Sequence, residues 1–395
     1  MYLRQQFIER IAQTSEIPQG FQVRRAAACH LYDENDVAYL DLISGFGVNN
    51  IGHGNPEVIQ AIQQQSKNYL HSNVYGEHIQ NPQIELAELI CSYLPSKLNS
   101  VYFLSSGSES IDAAIKLARL ATSRNEIVAC RTAYHGSTIG AESLRSDEAH
   151  KTAFRPLLPG IRFIDFNNRE NINNISSKTA AVILEVVQAE AGVIVADPGY
   201  LEALRKRCDE TGSLLIFDEI QTGIGRCGKF FAFQNYQVIP DLLLCGKALG
   251  AGLPLSGLIC DRSLMNHFHK STALGYISTF GGNPLCCAAG FAGLKFLMQN
   301  QIIDRVHKIA KTFIELLHHP QITEIRHSGL LMAIELKNPR QLMTLIQELY
   351  RQKILVEGFL FNSNSLRIAP PLIISESELE QSASQIINIL SHLNE

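Results

Sequence analysis

The chain carries no excess of charge of either sign: 34 Lys and Arg against 38 Asp and Glu in 395 residues leave a formal net charge of −4. Without a basic stripe, the composition argues against nucleic acid or an anionic membrane surface as a partner. Also lacking is any C-x-x-C or Cys/His ligand spacing. The nine cysteines, an odd number, therefore read as reduced thiols of a cytoplasmic protein, with no metal expected. The start, Met1-Tyr-Leu-Arg-Gln-Gln-Phe-Ile-Glu-Arg10, lacks the uninterrupted apolar stretch of a signal peptide, so secretion is not expected. Internal repeats, low-complexity tracts and long linkers are missing as well. These absences leave chemistry on small molecules.

What is present is length and apolar material. A chain of 395 residues with 46% hydrophobic content exceeds one ordinary core and predicts two domains. Short apolar runs at 101–104, 126–130, 180–187, 213–217, 242–245 and 255–260 read as strands, most of them buried on both faces. Residues 199–210 read as a helix closed by Gly212. The alternation predicts an α/β fold with a mostly parallel sheet between helices, spanning residues 50–285. A strand over 325–334, a helix over 341–351, a strand over 366–369 and a final helix with Leu379, Ala383, Ile386 and Leu390 on one face predict a smaller α+β domain. That domain comprises residues 286–395 together with 1–49.

Lys247 is the only charge in the nineteen residues from Leu242 to Cys260, and it follows Asp218 by twenty-nine positions. A lysine among apolar neighbours loses the hydration that favours its charged form, so its pKa falls and its amine becomes a nucleophile toward carbonyls. A carboxylate at a strand end can hold a heteroaromatic nitrogen protonated. Together these are the two electronic contacts that pyridoxal phosphate requires. By residue type alone, Lys247 also fits a lysine that snorkels to water from a strand end. A membrane span fits poorly, because the window holds four glycines and Pro254 and a central lysine costs about 2.5–3.5 kcal/mol on insertion.

Ser105-Ser-Gly-Ser-Glu-Ser110 follows the predicted strand 101–104. Ser106 and Glu109 have capping-box spacing, and Ile111, Ala114, Ile115 and Ala118 then share a helical face. The motif is an ordinary helix cap or, at a strand's carboxyl end, an anion site built from free N–H groups and the helix dipole.

With these motifs in place, the chain resembles the class III, or ω-, pyridoxal-phosphate-dependent aminotransferases of fold type I. The likeness runs from about Tyr39 to Pro371. It rests on Tyr39-Leu-Asp-Leu-Ile-Ser-Gly45, Gly52-His-Gly-Asn-Pro56, Ser106-Gly-Ser-Glu109, Tyr134-His-Gly136 and Glu185-Val-Val-Gln-Ala-Glu190. It continues through Phe217-Asp-Glu-Ile-Gln-Thr-Gly223, Lys247, Ser278-Thr-Phe-Gly-Gly-Asn-Pro284 and Leu366-Arg-Ile-Ala-Pro370, all in the family's order.

The resemblance implies a role for each position, with a large domain built on a seven-stranded sheet. Lys247 is implied to be the Schiff-base lysine and proton-moving base, with Asp218 at the pyridine nitrogen and Gln221 at the ring hydroxyl. Ser106, Gly107 and Ser108 would supply phosphate donors and Tyr134 would stack on the ring, with His135 and Glu185 also in the cofactor pocket. Outside the family, Tyr134 reads as a core tyrosine and Thr279 as a turn residue. Within it, Thr279 reaches the phosphate from a partner subunit, making a homodimer with shared active sites the minimum unit. His53 and His135 lack metal-ligand spacing and sit in glycine-rich loops, which gives both structural roles.

Arg367 is implied to grip the α-carboxylate of 2-oxoglutarate or glutamate through two parallel charged hydrogen bonds. Glu190 would cover that charge when the other substrate arrives. Read alone, Arg367 fits a surface ion pair. Relatives acting on acylated ornithine resemble one another in an arginine after the Tyr/Phe-His-Gly; here Ser137 stands there. Acetylornithine is therefore not the expected donor; a diamine, an ω-amino acid or an ornithine-like amine is, unless Arg131 or Arg145 compensates. Phe46, Val74 and Tyr75 are candidates to shape the donor pocket. The expected activity is transamination by a ping-pong mechanism. A decarboxylase, an aminomutase or a catalytically silent cofactor-binding relative are the alternatives on the same scaffold.

Overall fold

The computed structural model describes residues 2–16, 18–270 and 274–393. Its centre is a seven-stranded sheet in the spatial order Ser100–Leu104, Ser256–Cys260, Leu242–Cys245, Leu214–Asp218, Thr179–Glu185, Glu126–Cys130, Ile161–Ile164. Ser256–Cys260 runs antiparallel to both neighbours, and the pairs from Leu242–Cys245 outward are parallel. The runs form strands here because helices cover both faces: every residue of Thr179–Glu185 and Leu242–Cys245 is buried. Ile161–Ile164 escapes the sequence pattern, since as an edge strand with Arg162 exposed it shows no continuous apolar run. The predicted run 180–187 breaks at Val186, and Val187–Gln188 pairs instead with Ile194–Val195.

The helix after the first strand, Gly107–Thr122, starts at a complete Ser106/Glu109 capping box and buries Ile111, Ala114, Ile115 and Ala118. Pro198–Thr211 is capped by Asp197 and stopped by Gly212 at φ 66°. Outside the central sheet, Ala38–Asp41 pairs with Ile354–Leu355, joining an N-terminal strand to a C-terminal one. The predicted strand 325–334 is a hairpin of Ile322–Ser328 and Leu331–Leu336. Its turn residue Gly329 sits at φ 57°, a conformation that ends extended pairing. Ser365–Ile368 adds the third strand, and helices Gln341–Arg351 and Glu376–His392 cover this part. In the turn before Ala38–Asp41, Asp36 takes φ 65°, as Asn and Asp tolerate. Among the described residues, no helix is long and apolar enough to cross a membrane.

Candidate active site

Five side chains converge at the carboxyl ends of the parallel strands, where open α/β sheets hold their ligands. Asp218 ends its strand in register with Glu185, the last residue of the neighbouring one. Lys247 lies two residues beyond Leu242–Cys245 in a tight turn at φ 49°, a conformation rare for a side-chain-bearing residue. Tyr134 and His135 follow Glu126–Cys130. With Gly107, Ser108, Gly136 and Gln221, these residues line a cavity of 180 Å³.

Lys247 Nζ donates to Gln221 Oε1 at 2.8 Å. Burial pushes the amine's pKa down to about 8, against the pull of Glu190 and Asp218, while Arg367 adds to the fall. His135 Nδ1 lies 2.7 Å from Asp218 Oδ2, whose other oxygen accepts from the Ile220 N–H at 3.0 Å. Burial opposes the charged imidazole, but the hydrogen bond and charge of Asp218 raise its pKa. Glu185 is enclosed, accepting from the N–H groups of Tyr134 (3.0 Å) and Ala189 (3.3 Å), and burial pushes it up to about 7. His135 is thus more than a loop residue, since it buttresses the aspartate.

These residues fit pyridoxal phosphate on observations independent of sequence likeness. Gln221 Nε2 and His135 Nε2 are buried with no hydrogen-bond partner, a costly state unless a ligand supplies one. Gly136, at φ +125°, leaves no room for a side chain: a Cβ there would come within 2.0 Å of Ser108 Oγ. Gly107 and Ser108 open the helix into the cavity, while Ser106 stays outside as the cap, its hydroxyl accepting from Glu109 N–H. Thr279 is elsewhere, in a recess with Ser105, Glu109 and Tyr276.

A second pocket, of 810 Å³, shares Tyr134 and Lys247 with the first and contains Glu190 and Arg367. Arg367 is 1% exposed. Its Nη2 donates to Glu190, its Nε to the Gly358 carbonyl at 3.1 Å, and its Nη1 is buried without a partner. The guanidinium lies between two rings, 4.4 Å from the Phe359 centroid and 4.9 Å from that of Phe46. Burial opposes ionisation of Glu190, yet the Arg367 charge and hydrogen bond hold it below the ordinary carboxylate range. The free Nη1 is the donor a substrate carboxylate would need.

Of the other candidates, Phe46 lines this pocket. Tyr75 instead packs on the Tyr102 ring at 4.7 Å, its hydroxyl between the Val101 carbonyl and the Phe103 N–H. Arg131 pairs with exposed Asp165 at 3.2 Å. Arg145 lies 5.8 Å from the Tyr134 ring centroid but is held by Glu142 and Asp147. Sequence reasoning passed over Arg226, which is fully buried and donates to the Leu330 and Pro370 carbonyls, Ser44 Oγ and Asn50 Oδ1. It stands among glycines in Thr222-Gly-Ile-Gly-Arg-Cys-Gly228 with Lys229 directly after, so it lacks the long uncharged flanks that mark Lys247.

Comparison with known proteins places the geometry in context. The family model for class-III aminotransferases matches residues 11–390. An acetylornithine aminotransferase of Methanosarcina acetivorans is 38% identical over 356 residues, covering 87% of this chain and 85% of its own. The solved structure of a transaminase from the marine bacterium Virgibacillus superposes with a TM-score of 0.93 at 25% identity, over 99% of each chain. An ornithine aminotransferase from Toxoplasma gondii gives 0.89 at 27% identity, over 97% of this chain and 92% of that one.

Proposed function

From the premise that this chain belongs to the class III aminotransferases and is a pyridoxal-phosphate-dependent transaminase, we propose how its residues divide the work. The observation that carries the reading is the Arg367–Glu190 pair in the pocket that Lys247 also lines. When bound, the cofactor supplies an aldehyde that condenses with amines and a ring that accepts the electron pair left by deprotonation. Gly107 and Ser108 at the helix start would hold its phosphate, with Ser106 capping that helix from outside the cavity. Asp218, buttressed by His135, keeps the ring nitrogen protonated, Gln221 Nε2 meets the ring hydroxyl, Tyr134 covers the ring face, and Glu185 fixes the Tyr134 backbone. Lys247 Nζ, in its unprotonated form, would take the proton from the donor carbon bearing nitrogen and deliver it to the imine carbon on the cofactor side, and would move a proton the opposite way in the second half-reaction.

Arg367 receives the carboxylate of the acceptor, 2-oxoglutarate, once Glu190 swings aside. With a donor that has no carboxylate there, Glu190 keeps the guanidinium paired, which avoids a bare buried charge. Ser137 offers no charge for a far carboxylate. The donor is accordingly a diamine, an ω-amino acid or an ornithine-like amine rather than acetylornithine, the compound in the relative's name. A panel of these donors, each with 2-oxoglutarate and with pyruvate, tests the reading. Acetylornithine as the best donor by tenfold or more would defeat the donor assignment, and pyruvate as the better acceptor would defeat the assignment of 2-oxoglutarate, while Arg367 would still meet the α-carboxylate that both 2-oxo acids carry.

The same reading makes the enzyme a homodimer with shared sites, residing in the cytoplasm. Thr279 lies outside its own chain's cavity, and Ile79 (90% exposed) and Phe280 (62%) present apolar surface that a second copy would cover. Nine free cysteines suit a reducing compartment. The division into a large domain, 50–285, and a small one, 1–49 with 286–395, is supported by the pairing of Ala38–Asp41 with Ile354–Leu355.

A further inference from the structure

A cleft of 550 Å³ adjoins the Lys247 pocket and shares Gly45, Phe46 and Glu357 with it. We propose that this cleft is an apolar extension of the donor site, seating the unbranched hydrocarbon arm of an amine substrate. The proposal rests on the transaminase reading and deepens it by naming a substrate class.

The dividing wall is held in a conformation that side chains rarely adopt. Ser44, Gly45, Phe46 and Gly47 have φ values of 48°, 60°, 58° and 87°; two of the four carry a Cβ that makes this strained, a state that persists only where surroundings impose it. The constraints are visible. Asp41 Oδ1 accepts from the Ile43 and Ser44 N–H groups, each at 2.8 Å, Ser44 Oγ donates to the Ala369 carbonyl at 2.7 Å, and Arg226 Nη2 donates to Ser44 Oγ at 2.9 Å. The backbone that leads into Phe46 is thereby fixed, and the ring, 42% exposed, stands at the border that the two spaces share.

The far space suits methylenes better than a charge. Leu3, Phe7 and Val23 line it while 59%, 37% and 55% exposed, an apolar surface in a cleft that adjoins the Lys247 pocket. Of its polar lining, exposed Arg4 carries a charge, while His53 Nε2 is already 2.7 Å from Asp41 and burial raises the Glu357 carboxyl above its ordinary range. A second copy of the chain is the competing occupant.

The test uses the holoenzyme and a series of primary n-alkylamines from butylamine to decylamine. Dissociation constants are read from the absorbance change of the bound cofactor, so no turnover is needed. Each added methylene is expected to tighten binding by roughly three- to fourfold until the cleft is filled, the factor for burying one CH2. Val23→Asp, at an exposed position that the fold tolerates, should flatten that dependence. Equal affinity along the wild-type series overturns the proposal, and so does a Val23→Asp effect that is uniform across chain lengths. A change in oligomeric mass on Val23→Asp, measured by light scattering, assigns the cleft to a second copy instead and also overturns it. Failure of transamination with every donor, alongside a positive chain-length dependence, would reject the functional reading and leave the cleft standing.

Discussion

A lysine amine with a pKa near 8 is unprotonated in about one molecule in ten at pH 7, against about one in three thousand for an ordinary lysine. Cofactor addition to the apoenzyme should therefore accelerate nearly tenfold per pH unit up to about pH 8 and then level off, as followed by the growth of visible absorbance. A continued rise to pH 10 would mean that the reacting amine is not desolvated. The same shift sets a stability dependence of known sign. Between about pH 8 and 10.5 the unfolded chain binds a proton at this site that the native chain does not, so apoenzyme stability gains from Lys247 as pH rises through that window. Lys247→Ala should abolish the borohydride-fixed adduct and leave the fold intact; an adduct surviving in the variant would place the reactive amine elsewhere. Arg367 lends itself to a kinetic prediction. Losing charged hydrogen bonds costs about 1.5–3 kcal/mol each, so Arg367→Ala should lower kcat/KM for 2-oxoglutarate at least roughly tenfold. The loss should be much smaller for a donor without an α-carboxylate, because that half-reaction does not use the guanidinium. Equal losses in the two half-reactions would show that Arg367 acts through the fold.

Among the elements, the loop that follows Asp218 is tied to the loops carrying the substrate residues by one guanidinium. Arg226 bonds Ser44 and Asn50 on one side and the Leu330 and Pro370 carbonyls on the other, and burial lowers its pKa to about 10. Arg226→Met should leave those acceptors buried without donors, at about 1–3 kcal/mol each, and so lower Tm by several degrees. An unchanged Tm would mean that water replaces the guanidinium. Elements of this kind mark the limit of legibility. Strands buried on both faces declare themselves as apolar runs, so 126–130 and 242–245 match the structure residue for residue. The edge strand Ile161–Ile164 does not, because half-exposed residues carry no such run. Ser328-Gly329 marks a turn inside the predicted strand 325–334, yet the apolar residues on both sides mask it. Lys247 is legible because a charge among apolar neighbours is conspicuous, whereas Arg226, among glycines and close to Glu219 and Lys229, shows no such contrast. Phe359 and Leu360 lie in the pocket of Arg367 with nothing in their local sequence to announce it, since long-range contacts bring them there: the Ser365–Ile368 pairing and the bonds of the Leu360 and Phe361 N–H groups to Glu190.

At the scale of the whole molecule, one chain's sequence says least about residues that serve another chain. Thr279 lies beside Ser105 and Glu109 rather than in its own Lys247 cavity, and it gains a function only if a second copy brings its own phosphate site within reach. That arrangement makes a prediction that no single-chain reading shares. Lys247→Ala dimers lack the reactive amine, and Thr279→Glu dimers place a carboxylate against the phosphate, so each preparation should be nearly inactive. In a hybrid with one subunit of each kind, the site whose lysine is missing also receives the altered Thr279. The other site then combines an intact Lys247 with an intact Thr279 from its neighbour. After complete subunit exchange of an equal mixture, half of the dimers are hybrids with one whole site each, so about a quarter of wild-type activity should return in a twofold-symmetric dimer. Exchange is verified independently by mass-tagging one parent. If activity stays at the parental level while tagged hybrids are present, Lys247 and Thr279 serve a single site from a single chain, and the shared-site arrangement is wrong.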